Sequence, residues 1–302
     1  MGLVAAGCTE HIPEAESPRI NHKSPGLIRF EPVPPLSEIR RSILVSEPGY
    51  TVEQILFPEF SAKYWKPSGN RRAPAVLLLP AIWGDRTVER FAEALALEGF
   101  ACLQLSSRRY LERIRSMEPM SLEGLAENIH LQAAEAKQVM DWFSAQKDVD
   151  ADRLGLLGIS FGAIVGGLLT EADERIGSSV LLLGGGNLPE ILAAPQGYVK
   201  RRLREEIMTE NGMTEEEFSA AAAAAMRGVD PLTYAGRLDS RRVFMINGRY
   251  DRVIPLKNAR EYWEAMGRPQ WLVIPAGHYT ASFFIAYLQA RVVDYLSAQF
   301  SP

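Results

Sequence analysis

The chain is short of the residues that staple small proteins together. Its 302 residues include 2 cysteines and 4 histidines, too few for a disulfide framework or for Cys/His-spaced structural zinc sites. Long apolar runs are also missing, and no stretch reaches the roughly 20 residues needed to cross a bilayer. Nor is there an excess of positive charge: 33 basic residues against 37 acidic ones give a net charge of −4. That balance argues against nucleic acid or an anionic membrane as a partner. The one basic cluster, Lys200-Arg201-Arg202-Arg204, runs straight into Glu205 and Glu206 and reads as a solvated helix face. What remains, 47% hydrophobic and 23% charged residues, is enough apolar material for a core that needs no metal or disulfide.

The two cysteines read differently. Cys102, inside the apolar run Phe100 to Leu105, is a small core residue. Leu3-Val4-Ala5-Ala6-Gly7-Cys8 resembles the end of a bacterial lipoprotein signal, followed by a Pro-, Glu- and Ser-rich stretch suited to a tether. Few apolar residues precede Cys8 and no basic segment stands before them, so the signal as written is incomplete. The expectation is a soluble protein as written. An exported lipoprotein, anchored to a membrane only through a lipidated Cys8, is the alternative if the start is truncated.

Residues 1–40 carry Pro13, Pro18, Pro25, Pro32, Pro34 and Pro35 and are expected to form an irregular arm. Residues 41–302 are expected to form one domain. From about residue 48, strand-like and helix-like segments alternate, the pattern of a mainly parallel sheet with helices on both faces. The expected strands are Tyr50–Phe57, Ser61–Trp65, Ala75–Leu79, Phe100–Leu105, Arg153–Gly158, Ser179–Leu183, Arg242–Asn247 and Gln270–Ile274. Helices are expected at 87–98, with Asp85 as N-cap, and at 122–143, 163–174, 257–266 and 280–299. Between about 187 and 231 the alternation stops. This Ala-, Glu- and Arg-rich stretch is too long for a connection and reads as an inserted helical cap over a site.

One constellation carries chemistry. Gly158-Ile159-Ser160-Phe161-Gly162 lies between an apolar strand and a helix. A serine on such a strand-to-helix turn is pushed above the sheet edge, and the flanking glycines avoid collisions with neighbouring backbone. A hydroxyl becomes a good nucleophile only beside a base. His11 and His22 lie in the arm and His130 lies inside a long helix. That leaves His278, which follows the last strand through Pro275-Ala276-Gly277. Asp251, after the strand ending at Asn247, is the candidate to orient the imidazole, although it is also placed to cap the helix starting near Pro255. Glu190 is the reserve acid. An oxyanion formed on attack needs two N–H donors. Phe161 supplies one, and the turn Pro80-Ala81-Ile82-Trp83-Gly84 the other, with Ile82 preferred over Trp83.

Pro80 to Gly84, the glycine-flanked serine, Asp251-Arg252-Val253-Ile254-Pro255 and Ala276-Gly277-His278 together resemble the α/β-hydrolase superfamily, in its dienelactone-hydrolase-like and serine carboxylesterase branch. The resemblance covers about residues 50–299. It implies the α/β-hydrolase fold, with chain order Ser, acid, His. It also implies ester hydrolysis through an acyl-enzyme, without metal or cofactor, on a small-molecule ester. Two departures stand out. Dienelactone hydrolase has a cysteine nucleophile where this chain has Ser160, and a glutamate beside the oxyanion turn where this chain has Ala81. A thioesterase or peptidase would use the same three residues, and a non-catalytic binding protein could share the scaffold. Trp83, Tyr110 and Tyr279, with Phe161, are candidates to line the substrate pocket. Arg108 and Arg109 stand near the same edge, either exposed or facing an anionic substrate.

Overall fold

A computed structural model describes residues 10–12, 28, 30, 35–69, 71–82, 84–194 and 198–301. In chain order the elements are β1 (Glu10–Ile12), β2 (Arg40–Glu47), β3 (Tyr50–Leu56), β4 (Ser61–Pro67), β5 (Ala73–Leu79), α1 (Asp85–Leu97), β6 (Ala101–Leu105), α2 (Arg108–Arg115), α3 (Leu122–Ser144), β7 (Val149–Ile159), α4 (Phe161–Ala172) and β8 (Ile176–Leu182). They continue with α5 (Leu188–Ala193), α6 (Tyr198–Asn211), α7 (Glu215–Met226), α8 (Pro231–Tyr234), β9 (Val243–Gly248), α9 (Leu256–Ala265), β10 (Gln270–Ile274), a 3-10 turn (Thr280–Phe284) and α10 (Ile285–Phe300).

The strands form one sheet in the order β1-β10-β9-β8-β7-β5-β6-β4-β3-β2. From β10 to β6 all neighbours are parallel, while β4, β3 and β2 at one end and β1 at the other run antiparallel. Strands covered on both faces should be apolar throughout, and β5 is: Leu77 and Leu79 face one core layer, Val76 and Leu78 the other. The first layer lies under α3, α4 and α9, the second under α1 and α10. Each such leucine or valine contributes about 1.5–3 kcal/mol on burial. Ser121 caps α3 by accepting from the Gly124 N–H, and Thr214 and Glu217 form a reciprocal capping box at α7.

Three expectations need correction. The arm is not wholly irregular, because β1 pairs with β10. A whole strand, β2, precedes the first expected one; every residue in it is exposed, so it carries no burial alternation to read. Asp85 is the first residue of α1 rather than its N-cap, which is Gly84. Its carboxylate instead accepts from Ser106 Oγ and from the N–H and Oγ of Ser107, tying the start of α1 to the end of β6. The described part of the segment 187–231 is mainly helical, and its buried residues Phe218, Ala222 and Met226 join the core layer on α3. Cys8, His22 and Trp83 lie outside the described residues. Among the described residues no helix is long and apolar enough to cross a membrane.

Candidate active site

β5 is where the order of connections reverses. The chain goes from β5 through α1 to β6 on one side, then returns through α2 and α3 to β7 on the other. A crevice opens outside the carboxyl ends of strands at such a reversal. The loops after β5, β7, β8, β9 and β10 supply its walls.

Ser160 joins β7 to α4 with φ 56° and ψ −115°, a backbone region that side chains disfavour. The flanking residues must be glycine for a spatial reason. A Cβ on Gly158 would sit 2.2 Å from the Gly162 carbonyl oxygen, and one on Gly162 would sit 2.1 Å from that of Leu79. The turn is held by the Ser160 N–H donating to Leu182 O on β8, and the Ala163 N–H donating back to Ser160 O.

The loops after β9 and β10 are joined by backbone bonds, Arg249 N–H to Ile274 O at 2.8 Å and Tyr250 N–H to Ala276 O at 3.0 Å. They bring Asp251 and His278 together above β7. His278 Nδ1 lies 2.7 Å from Asp251 Oδ2, and His278 Nε2 lies 2.8 Å from Ser160 Oγ. An ionised carboxylate only accepts, so Nδ1 carries the proton and Nε2 of the neutral ring accepts from the serine hydroxyl. Asp251 Oδ1 meanwhile accepts from the N–H groups of Val253 and Ile254 at 2.8 and 2.9 Å. Asp251 does not cap α9, whose N-cap is Pro255; one oxygen closes the turn before that helix and the other meets the imidazole. Its side chain is inaccessible to solvent. Glu190 is elsewhere, on α5, bound to Lys257 and Asn187. His130, on α3, packs against Phe30.

Phe161 is the first residue of α4, where backbone N–H groups have no intrahelical acceptor and the helix dipole favours negative charge. Ile82 lines the same cavity as Ser160 and His278, in a turn closed by the Gly84 N–H donating to Ala81 O. The cavity measures about 260 Å³. Thr87, Ile159, Leu182, Leu183, Val253, Tyr279, Ala281, Ser282, Ile285 and Leu288 complete most of its wall. Among the described residues none that line it is Asp, Glu, Lys or Arg, and none belongs to 187–231. A hydroxyl in this setting can pass its proton to the ring as it attacks an electrophilic carbon.

The aromatic candidates separate. Tyr279 is at the cavity mouth, 71% exposed, edge-on to His278. Tyr110 is buried away from the cavity and lies against the Phe161 ring, with centroids 3.9 Å apart. Burial pushes its phenol well above the ordinary tyrosine value. Arg108 and Arg109 are on α2 and not at a strand end; they pair with Glu112, and with Glu59 and Glu135. Missed by sequence reading were Leu182 and Leu183 at the end of β8, and Thr87, Ala281, Ser282, Ile285 and Leu288. Their only signal was position beside a strand's carboxyl end or after His278. Among the described residues no cluster of three or more His, Cys, Asp or Glu side chains is placed to hold a metal ion.

The topology and the Ser160 turn define the α/β-hydrolase fold, and the chain has it. No protein-family model and no curated protein sequence matches the chain. Solved structures do. The chain is similar to an acetyl xylan esterase from Paenibacillus sp. R4, with TM-score 0.70, 14% identity, and 86% of this chain aligned to 89% of that one. It is similar to acetyl xylan esterase 1 from Thermoanaerobacterium sp. JW/SL YS485, with TM-score 0.65, 16% identity and 89% of each chain covered. Est1E from Butyrivibrio proteoclasticus aligns over its full length to 84% of this chain, at TM-score 0.57 and 13% identity.

Proposed function

We propose that this chain is a serine hydrolase that cleaves carboxylic esters through an acyl-enzyme. Ser160 Oγ attacks the ester carbonyl carbon while His278 Nε2 takes its proton, and Asp251 stabilises the imidazolium. The oxyanion accepts from the N–H groups of Phe161 and Ile82. His278 then protonates the leaving alkoxide, the C–O bond breaks, and the acyl group stays on Ser160. Water, deprotonated by His278, attacks the acyl carbon and releases the acid and the free serine. These steps require no metal or cofactor.

The observation that carries the reading is the unbroken chain of two short hydrogen bonds from Ser160 through His278 to the buried carboxylate of Asp251. Two structural neighbours are acetyl xylan esterases, which supports the same reading and makes an acetylated xylan fragment a substrate to include.

Purified protein is expected to hydrolyse short-acyl p-nitrophenyl esters, and Ser160→Ala to reduce kcat by about 10⁴-fold or more. Cleavage of acyl-CoA or a peptide with no ester hydrolysis would transfer the assignment to a thioesterase or peptidase. A folded protein inactive on all three would indicate a binding protein.

A further inference from the structure

Leu183 leaves β8 with φ 54°, in the left-handed region where a leucine is costly and a glycine is not. Three glycines follow it, yet none of them adopts a positive φ. They are there for close packing: a Cβ on Gly184 would lie 2.6 Å from Ala163 Cβ, and one on Gly186 2.7 Å from Leu232 Cβ. The far end of this loop is clamped by Asp230, which accepts from the N–H groups of Asn187 and Leu188 at 3.0 and 2.7 Å. The near end is clamped by the Leu183 N–H donating to Ile246 O at 2.7 Å. Leu183 is therefore held in its strained conformation from both sides. Its side chain, only 4% exposed, lines the cavity that contains Ser160 and His278.

Strained non-glycine residues persist where surrounding structure over-determines them, and they gather at ligand sites. The cavity wall is largely apolar and, among the described residues, includes no Asp, Glu, Lys or Arg, so the part of a substrate it receives is apolar. For an ester cleaved at Ser160 that part is the acyl chain, since the other face of the mouth, at Tyr279, is open to water. We infer that Leu183 determines specificity, closing the acyl pocket so that only short acyl chains are accepted. This rests on the ester-hydrolase reading above.

The test is kcat/KM for p-nitrophenyl acetate, butyrate and hexanoate in the wild type, Leu183→Ala, Leu183→Gly and Leu183→Phe, each checked for folding by thermal unfolding. One methylene in an apolar pocket changes kcat/KM by roughly 10–200-fold. Leu183→Ala is expected to raise the hexanoate-to-acetate ratio at least about tenfold, and Leu183→Phe to lower the butyrate-to-acetate ratio below the wild-type value. Leu183→Gly removes the backbone strain together with the side chain, so it provides a folded variant if alanine does not, with the same expected direction. A folded, active series whose ratios stay at the wild-type value would overturn the inference while leaving the ester reading standing. A wild type that hydrolyses none of the three esters would sink both.

Discussion

At Ser160 the backbone and the chemistry make opposite demands. The hydroxyl reaches His278 only because the residue adopts φ 56° and ψ −115°, a conformation that costs an L-residue about 1–3 kcal/mol. Releasing that strain should show as stability. Ser160→Gly gives up about 0.5–1 kcal/mol through the greater freedom of unfolded glycine. A net gain of about 1 kcal/mol over Ser160→Ala is therefore expected in urea unfolding. A Ser160→Gly variant about 0.5–1 kcal/mol less stable than Ser160→Ala would mean that no strain is stored at this turn. Asp251 teaches a second lesson at the same scale. Sequence offered imidazole partner or helix cap as alternatives; the second oxygen instead holds the turn through the Val253 and Ile254 N–H groups, and Pro255 is the N-cap of α9.

Among the elements, legibility followed burial. The six parallel strands and the helices that cover them were readable because each carries a continuous apolar run or an apolar stripe. Three elements were not. β2 is exposed along its whole length, and β1 is three residues long and exists by pairing with β10. α2 has one buried residue, Tyr110, and is tied to α3 by polar bonds instead, Arg113 reaching Asn128, Gln132 and Glu135. Such elements are defined by tertiary partners rather than by their own periodicity. The same distinction separates the parts of the site. The meeting of Ser160, Asp251 and His278 was legible because the proposed chemistry restricts its candidates to few residue types at strand ends. The cavity wall was not, because Leu182, Leu183 and Leu288 look like any other core leucine until the loops are in place. The insertion was legible as helical from its composition, but its packing on α3 follows from Phe218 and Met226 meeting a surface that no local pattern specifies.

In the molecule as a whole, the junction between α4, α9 and the insertion buries the acids Glu171 and Asp230. Glu171 on α4 is fully buried, accepts from the Tyr262 hydroxyl at 3.1 Å, and has no hydrogen-bond partner at Oε2 among the described residues. Burial, reinforced by the nearby charge of Asp230, raises its carboxyl well above the ordinary glutamate value. The folded state thus keeps a proton that the unfolded chain releases in the ordinary glutamate range. This contribution is fully present below that range and is lost as pH rises toward the raised value. Glu171→Gln removes the titration. Thermal midpoints of the wild type and variant should lie close together near pH 4–5 and diverge in favour of the variant as pH rises toward 9. Parallel curves across that range would show that Glu171 is not the group responsible.

The central claim is that Ser160 is an activated nucleophile, and covalent capture reads it directly. Intact protein treated with a fluorophosphonate is expected to gain one adduct, located by mass spectrometry on the peptide containing Ser160 and absent from folded Ser160→Ala. A folded wild type that stays unlabelled, or one labelled equally well after the substitution, would contradict the account.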